Sequence, residues 1–296
     1  MFEIVEDGAQ IAEGVKIGHY AIIKSGAIIG RDTVIGDYTY VDSNVVIGDN
    51  NKIGTGVVLK GNVQIGNNNH ILDKTIIGLS PKHIGYHFYK GRVIIGNNNF
   101  ISNGCAIDCG NNHLSDKHPE LLSYLNTDLP KDIDYEDATI IGDRCYILNN
   151  VTIHHNCRVG LGNIASNSGE YDTVICSGCC LNGFVQLRKG CELGSGTYIR
   201  EFVSIGEGAY TAMKSHIVKD VPPFAFIRKN RCVGDYDKLA EKFGISKYEI
   251  AKLRYRFEKK RSGKLESYLP YSAEASNQGI SLTQRKTLDI KSEIER

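Results

Sequence analysis

Val15-Lys16-Ile17-Gly18-His19-Tyr20, Ala21-Ile22-Ile23-Lys24-Ser25-Gly26, Ala27-Ile28-Ile29-Gly30-Arg31-Asp32 and Thr33-Val34-Ile35-Gly36-Asp37-Tyr38 read as one six-residue unit written four times. The aliphatic lead recurs without a gap at Ile11, Ile17, Ile23, Ile29, Ile35, Val41, Ile47, Ile53, Leu59, Ile65, Ile71 and Ile77. Gly often follows it, and the residue four places after it is usually small, as in Ala21, Ala27, Thr33, Thr39, Val45, Asn51 and Val57. A helical period of 3.6 cannot generate such a series. Six residues make a short strand and a turn, and three units close a triangular coil of about 18 residues with the lead aliphatics inward. Gly, Asn and Asp after the lead suit the corners, because they enter turn and left-handed conformations at little cost. The fold class that follows is an all-β solenoid, a parallel β-helix of hexapeptide repeats with a small C-terminal helical appendage. The period alone does not set its hand.

The register returns at Ile95, Ile101 and Ile107, holds from Ile141 through Ile147 and Ile153 to Val159, and resumes at Ile175, Leu181, Leu187, Leu193, Ile199 and Ile205. We therefore expect a β-helix over 1–227 with loop excursions at 79–94 and 109–138, the second acidic and with a short helical turn about Leu121, Leu122 and Leu125. Pro222-Pro223 is expected to end strand pairing. A helical region follows over 228–266, with one helix from Tyr236 to Phe243, Gly244 as its stop, and a capping box at Ser246-Lys247-Tyr248-Glu249 opening a second. Ile250, Leu253 and Phe257 share one face of that helix, while Lys252, Arg254, Arg256, Lys259, Lys260 and Arg261 make a basic one. The polar tail, 267–296, is expected to be peripheral.

Lys and Arg number 35 against 34 Asp and Glu, so the net charge of +1 gives no global reason to expect nucleic acid or a membrane surface as partner. Residues 1–7 are acidic and lack the basic and apolar regions of a signal peptide. No apolar run reaches the ~18 residues that cross a bilayer. The expected protein is soluble and cytoplasmic. Five of its nine cysteines are best read as core residues. Cys105, Cys145, Cys157, Cys179 and Cys191 each stand four places after a lead aliphatic, and Cys176-x-x-Cys179-Cys180 has no second Cys/His pair at zinc spacing. No metal is expected.

Three stretches narrow the function. Tyr146-Ile147-Leu148-Asn149-Asn150-Val151-Thr152-Ile153-His154-His155-Asn156-Cys157-Arg158-Val159-Gly160 is the first, and Lys219-Asp220-Val221-Pro222-Pro223-Phe224 the second. The third is Gly244-Ile245-Ser246 followed by Arg261-Ser262-Gly263-Lys264. Together they resemble the UDP-N-acetylglucosamine O-acyltransferases of lipid A biosynthesis, over roughly residues 11–264. The resemblance implies a left-handed helix and a homotrimer with active sites between subunits. It also implies an acyl carrier protein thioester as donor, a UDP-sugar as acceptor and no cofactor beyond that co-substrate.

His155 matches the family's catalytic histidine, and the chemistry agrees: acyl transfer to a hydroxyl needs a base poised near neutral pH. His154 is expected to be an exposed strand residue. Asn156 stands where the family has Asp, Arg188 where it has a second histidine, and Gly169 is the candidate for an oxyanion N–H. Asp73 and Lys74 match positions lining the acceptor region. The basic helical face could dock an acidic carrier protein. Two alternatives stand beside this: an acyl-coenzyme A-dependent N-acyltransferase of amino-sugar nucleotides, and an inactive β-helix serving as scaffold.

Overall fold

The computed structural model describes residues 3–81, 91–111, 138–162, 164, 169–235 and 237–265. The chain winds as a left-handed parallel β-helix with three faces. Sheet A has ten strands, from β1 (Ile4–Val5) and β4 (Ile22–Ile23) through β13 (Ile76–Leu79), β16 (Ala106–Asp108), β19 (Thr152–Ile153) and β22 (Cys180–Leu181) to β28 (His216–Ile217). Sheet B stacks nine strands from β2 (Gln10–Ile11) through β14 (Arg92–Ile95), β17 (Ala138–Ile141), β20 (Arg158–Leu161) and β23 (Gln186–Arg188) to β26 (Ser204–Ile205). Sheet C stacks eleven from β3 (Lys16–Ile17), including β18 (Cys145–Ile147), β21 (Thr173–Ile175) and β27 (Tyr210–Thr211).

Lead aliphatics from Ile23 to Ile205 fill the prism, and Cys105, Cys145, Cys157, Cys179 and Cys191 join them, each at most 1% exposed. Their burial pushes the thiols up, Cys105 and Cys179 to about 11. Ile11 and Ile17, in the first coil with nothing below, stay partly open. Asparagines in the interior form a ladder. Asn51 Oδ1 accepts from the Asn69 backbone N–H at 2.9 Å, Asn69 Oδ1 from that of Asn99 at 2.9 Å, and Asn99 Oδ1 from that of Cys145 at 2.7 Å. Each of these buried amide oxygens is thus held by the coil above, which is what makes its burial tolerable.

Strand pairing shows where the chain leaves the prism. Ile4 pairs with Ile22, 18 residues on, but Ile76 pairs with Ala106, Ala106 with Thr152 and Thr152 with Cys180. The first two excursions leave sheet A after β13 and β16 and rejoin sheet B at β14 and β17, both on the A–B edge. The third leaves on the B–C edge between β20 and β21. Residues 82–90 and 112–137, with Leu121, Leu122 and Leu125, lie outside the described residues, as does 266–296 with the tail.

The two prolines do not end pairing. They take up a corner, and β29 (Ala225–Arg228) pairs parallel with β27, then antiparallel with β30 (Arg231–Asp235). The backbone constraint of Pro falls on the turn, where no ladder N–H is needed. Helices α1 (Asp237–Lys242) and α2 (Lys247–Leu265) follow, separated by Gly244 at φ 63°. The capping box forms as expected: Glu249 accepts from the Ser246 backbone N–H at 2.8 Å, and Ser246 Oγ accepts from the Glu249 N–H at 3.3 Å. Ile250 and Leu253 turn toward Phe224, Ile164, Ala240 and Phe243, closing the prism's end. Arg254 leaves the exposed basic face and donates to the Pro223 carbonyl at 2.8 Å, whereas Lys252 and Arg256 stay exposed. The side chains of Phe257, Lys259, Lys260 and Arg261 lie outside the described residues.

Candidate active site

His155 occupies the A–B edge, two residues past the inward Ile153 and one coil above the point where the second excursion rejoins. Asn156, in the left-handed region at φ 57° and fully buried, turns its amide back beneath the imidazole. Its Oδ1 accepts from the Asn111 backbone N–H at 2.8 Å and lies 3.0 Å from His155 Nδ1. An amide oxygen only accepts, so Nδ1 carries the proton and Nε2 is left with a lone pair. This orients the His155 ring without a carboxylate.

One coil above, Gly183 presses its backbone against the ring. A Cβ there would lie 2.7 Å from His155 Nε2, so only glycine admits the imidazole. Among the described residues the Gly183 N–H has no hydrogen-bond acceptor, unlike the Phe184 N–H, which binds the His155 carbonyl at 3.0 Å. Phe184 meets the imidazole edge-on at 5.3 Å, and Phe202 stacks on Phe184 at 4.9 Å. Phe202 is 42% exposed and extends this apolar wall into solvent. The corner therefore joins an oriented imidazole, an unengaged N–H on the glycine beside it and an aromatic platform.

His154 is not the exposed strand residue expected. Its Nδ1 lies 2.7 Å from Asp108 Oδ2, the carboxylate being 2% and the imidazole 23% exposed. The Asp108 hydrogen bond, with a second from Cys180, pushes His154 up to about 9. Because this value lies above the ~6.5 of unfolded chains, the pair's stabilisation is complete below that pH and fades as pH rises through about 9. Asp108→Asn should therefore lower the melting temperature at pH 6, with the gap to the native protein narrowing by pH 9.5. A gap of constant size in thermal melts across that range would contradict the pairing.

The remaining sequence candidates lie elsewhere on the prism. Gly169 sits by the B–C edge, where its carbonyl accepts from the Arg144 guanidinium. Arg188 ends β23 and pairs with Leu161 in sheet B. Asp73 and Lys74 are on the C–A edge beside Asn103, Gly104, Asn149 and Asn150, and Asp73 Oδ1 accepts from the Thr55 backbone N–H at 2.8 Å. The corner carboxylate there fastens one coil to the next. Of the six candidates, the fold gathers His155 with Asn156 on the A–B edge and Asp73 with Lys74 on the C–A edge, and leaves Gly169 and Arg188 apart from both. Gly183 and Phe184 are the neighbours that sequence reasoning missed. Among the described residues no three His, Cys, Asp or Glu side chains group as metal ligands. Nor is any described helix long and apolar enough to cross a membrane.

Comparison with known proteins adds three findings. Residues 8–43 and 26–61 match the bacterial transferase hexapeptide (six repeats) family. A Helicobacter pylori acyl-[acyl-carrier-protein]–UDP-N-acetylglucosamine O-acyltransferase is 33% identical over 93 residues, 31% of each chain. This chain thus spans about a third of the length of the first curated relatives it matches. The Campylobacter concisus protein of that name is 29% identical over 241 residues, 72% of this chain and 82% of its own. Among solved structures, an Arabidopsis UDP-N-acetylglucosamine acyltransferase superposes with a TM-score of 0.62 at 20% identity, covering 98% of this chain and 92% of that one, a likeness of fold. The chain is a hexapeptide-repeat protein similar to the UDP-N-acetylglucosamine O-acyltransferases.

Proposed function

We propose that the chain moves an acyl group from an acyl carrier protein thioester to a hydroxyl of a UDP-N-acetylglucosamine-like sugar, as a step of lipid A biosynthesis. The observation that carries this reading is the hydrogen-bonded run Asn111–Asn156–His155, which leaves Nε2 of His155 as proton acceptor. The Gly183 N–H against that ring supplies a donor for the oxyanion that forms when the hydroxyl attacks the thioester carbon. Relatives bearing the O-acyltransferase name support the substrate pair. Lys252 and Arg256 on α2 offer positive charge to an acidic carrier. The thioester is itself the co-substrate, and no further cofactor is required. The cytoplasm is the proposed site of action.

A homotrimer fits the same edge. Sheet B stacks Gln10, Ile28, Val46, Gln64, Ile94 and Ile140 in one outer ladder that Arg158 continues, and Ile28 and Val46 are 37% and 38% exposed. A second copy laid on that face would border His155 and complete the groove. The neutral Asn156 leaves a second reading open, N-acylation of an amino sugar nucleotide from acyl-coenzyme A, because an amine needs less help from a base. An assay crossing carrier-protein and coenzyme A thioesters with hydroxyl and amino UDP-sugars, on protein sized by light scattering, tests the proposal. Ester product from the carrier thioester in a trimer is expected. Amide product alone, or turnover by a monomer, would overturn it.

A further inference from the structure

The C-terminal end of the prism carries a concentration of positive charge that the transfer reaction does not use. Residues 208–234 contain Lys214, Lys219, Arg228, Lys229 and Arg231 against one acid, Asp220, whose Oδ1 accepts from the Ser204 backbone N–H at 2.8 Å. Ile227 pairs with Thr211, so Arg228 and Lys229 follow on the C–A edge one coil above Met213 and Lys214. There β29 turns into β30 through Lys229 and Asn230, both left-handed at φ 49° and 62°, and Arg228 faces Arg231 across the hairpin. Asn230 Oδ1 accepts from the His216 backbone N–H at 2.6 Å, which pins the tip of the hairpin to the last strand of sheet A.

Lys214, Arg228, Lys229 and Arg231 are all exposed, and among the described residues none of them pairs with a carboxylate. Two large apolar side chains stand out on the same end: Met213, 71% exposed on the corner, and Val233, 54% exposed on the edge strand β30. A single lysine can keep an edge strand from pairing with another chain. Arg228, Lys229 and Arg231 within one turn, with Lys214 a coil below, exceed that need. We propose that this hairpin and the corner beneath it form a docking surface for an anionic lipid bilayer. The reading goes beyond acyl transfer and does not depend on it.

The cations meet the lipid phosphates, while Met213 and Val233 enter the headgroup layer. These side chains project singly from a corner and an edge instead of lining a groove, which fits a deformable plane better than a folded partner. Because β30 is the outermost strand of sheet C, contact there stands the β-helix end-on to the membrane and leaves the His155 corner three coils below β28. Each cation near an anionic surface strengthens binding about fivefold. A trimer of parallel prisms would bring three hairpins to one plane, where their contacts add. The chain's net charge of +1 would not produce such binding; the placing of the charge does.

Sedimentation of the full chain with lipid vesicles tests this and needs no turnover, so its result is readable whatever the transferase assay gives. Vesicles of about 30% phosphatidylglycerol in phosphatidylcholine should carry the protein down at about 0.1 M salt and release it toward 1 M, while phosphatidylcholine alone should not bind it. The triple variant Arg228→Gln, Lys229→Asn and Arg231→Gln should bind roughly 100-fold more weakly, with its circular dichroism melt and its activity on soluble substrates unchanged. Asn is chosen at 229 because it tolerates the left-handed turn. Met213→Ser with Val233→Ser should weaken binding about tenfold and keep the salt dependence. A native chain that stays in solution beside the anionic vesicles, equal binding to neutral ones, or a triple variant that pellets as the native chain does would each overturn the proposal. Native vesicle binding by that variant together with a raised KM for the carrier thioester would assign the cations to the carrier instead.

Discussion

Replacing His155 with Ala is expected to lower kcat for ester formation by about 10²- to 10⁴-fold, the range that a positioned base contributes, while leaving thermal unfolding nearly unchanged. The imidazole stands outside the prism, on Gly183 and against the edge of Phe184, so its removal uncovers no lead aliphatic. Its loss does remove the ring that Asn156 Oδ1 orients. Asn156 itself stays anchored through its backbone N–H to Thr139 Oγ1 at 2.9 Å, so the corner keeps its shape. Steady-state kinetics beside a circular dichroism melt separate the two effects. A fall in both would mean the corner had collapsed, and native turnover would remove His155 from the mechanism. For the amine-acylating alternative the same variant keeps much of its rate, so this substitution also divides the two chemistries.

The prism was legible because its information is local. A lead aliphatic every six residues is written into each unit, and the inward positions from Ile23 to Ile205 follow from counting. The candidate corner was legible only in part, since His155 and Asn156 are sequence neighbours. Their other partners are set by how much chain each excursion inserts. Asp108 meets His154 across 46 residues and Gly183 reaches His155 across 28, where the ordinary coil takes 18. Without the length of each excursion, neither partner could be placed. The register slip before Ile175 likewise hid the places of two glycines: Gly169 belongs to the B–C edge, and Gly183 lies beside His155 on the A–B edge. Asp73 has a structural part that its sequence position did not reveal. A corner carboxylate that looked available for substrate is one of a series, with Asp37 and Asp49, whose oxygens bind backbone N–H groups of the preceding coil at 2.7–2.8 Å. Repetition of residue type at a corner signals fastening, and departure from it, as at His155, signals a site.

Phe224→Ala should cost about 3–5 kcal/mol, and the loss should be confined to the C-terminal end. Phe224 is wholly buried at a left-handed corner, φ 53°, with its backbone N–H held by the Glu207 carbonyl at 2.8 Å. Its ring fills the space that only glycine leaves at Gly208, and packs with Ile164, Ala240, Phe243 and Ile250. It is therefore the peg on which α1 and α2 are hung. In a solenoid each coil contacts only its neighbours, so stability is a sum of local terms and damage does not travel far. The variant should melt in two steps, helical signal being lost first and the β-helix holding near the native temperature. Hydrogen exchange should show faster amides in residues 237–256 with protection unchanged around Ile29 and Ile47. A single transition shifted as a whole would mean that the helices and the prism fold as one cooperative unit, and that the terminal packing stabilises every coil beneath it.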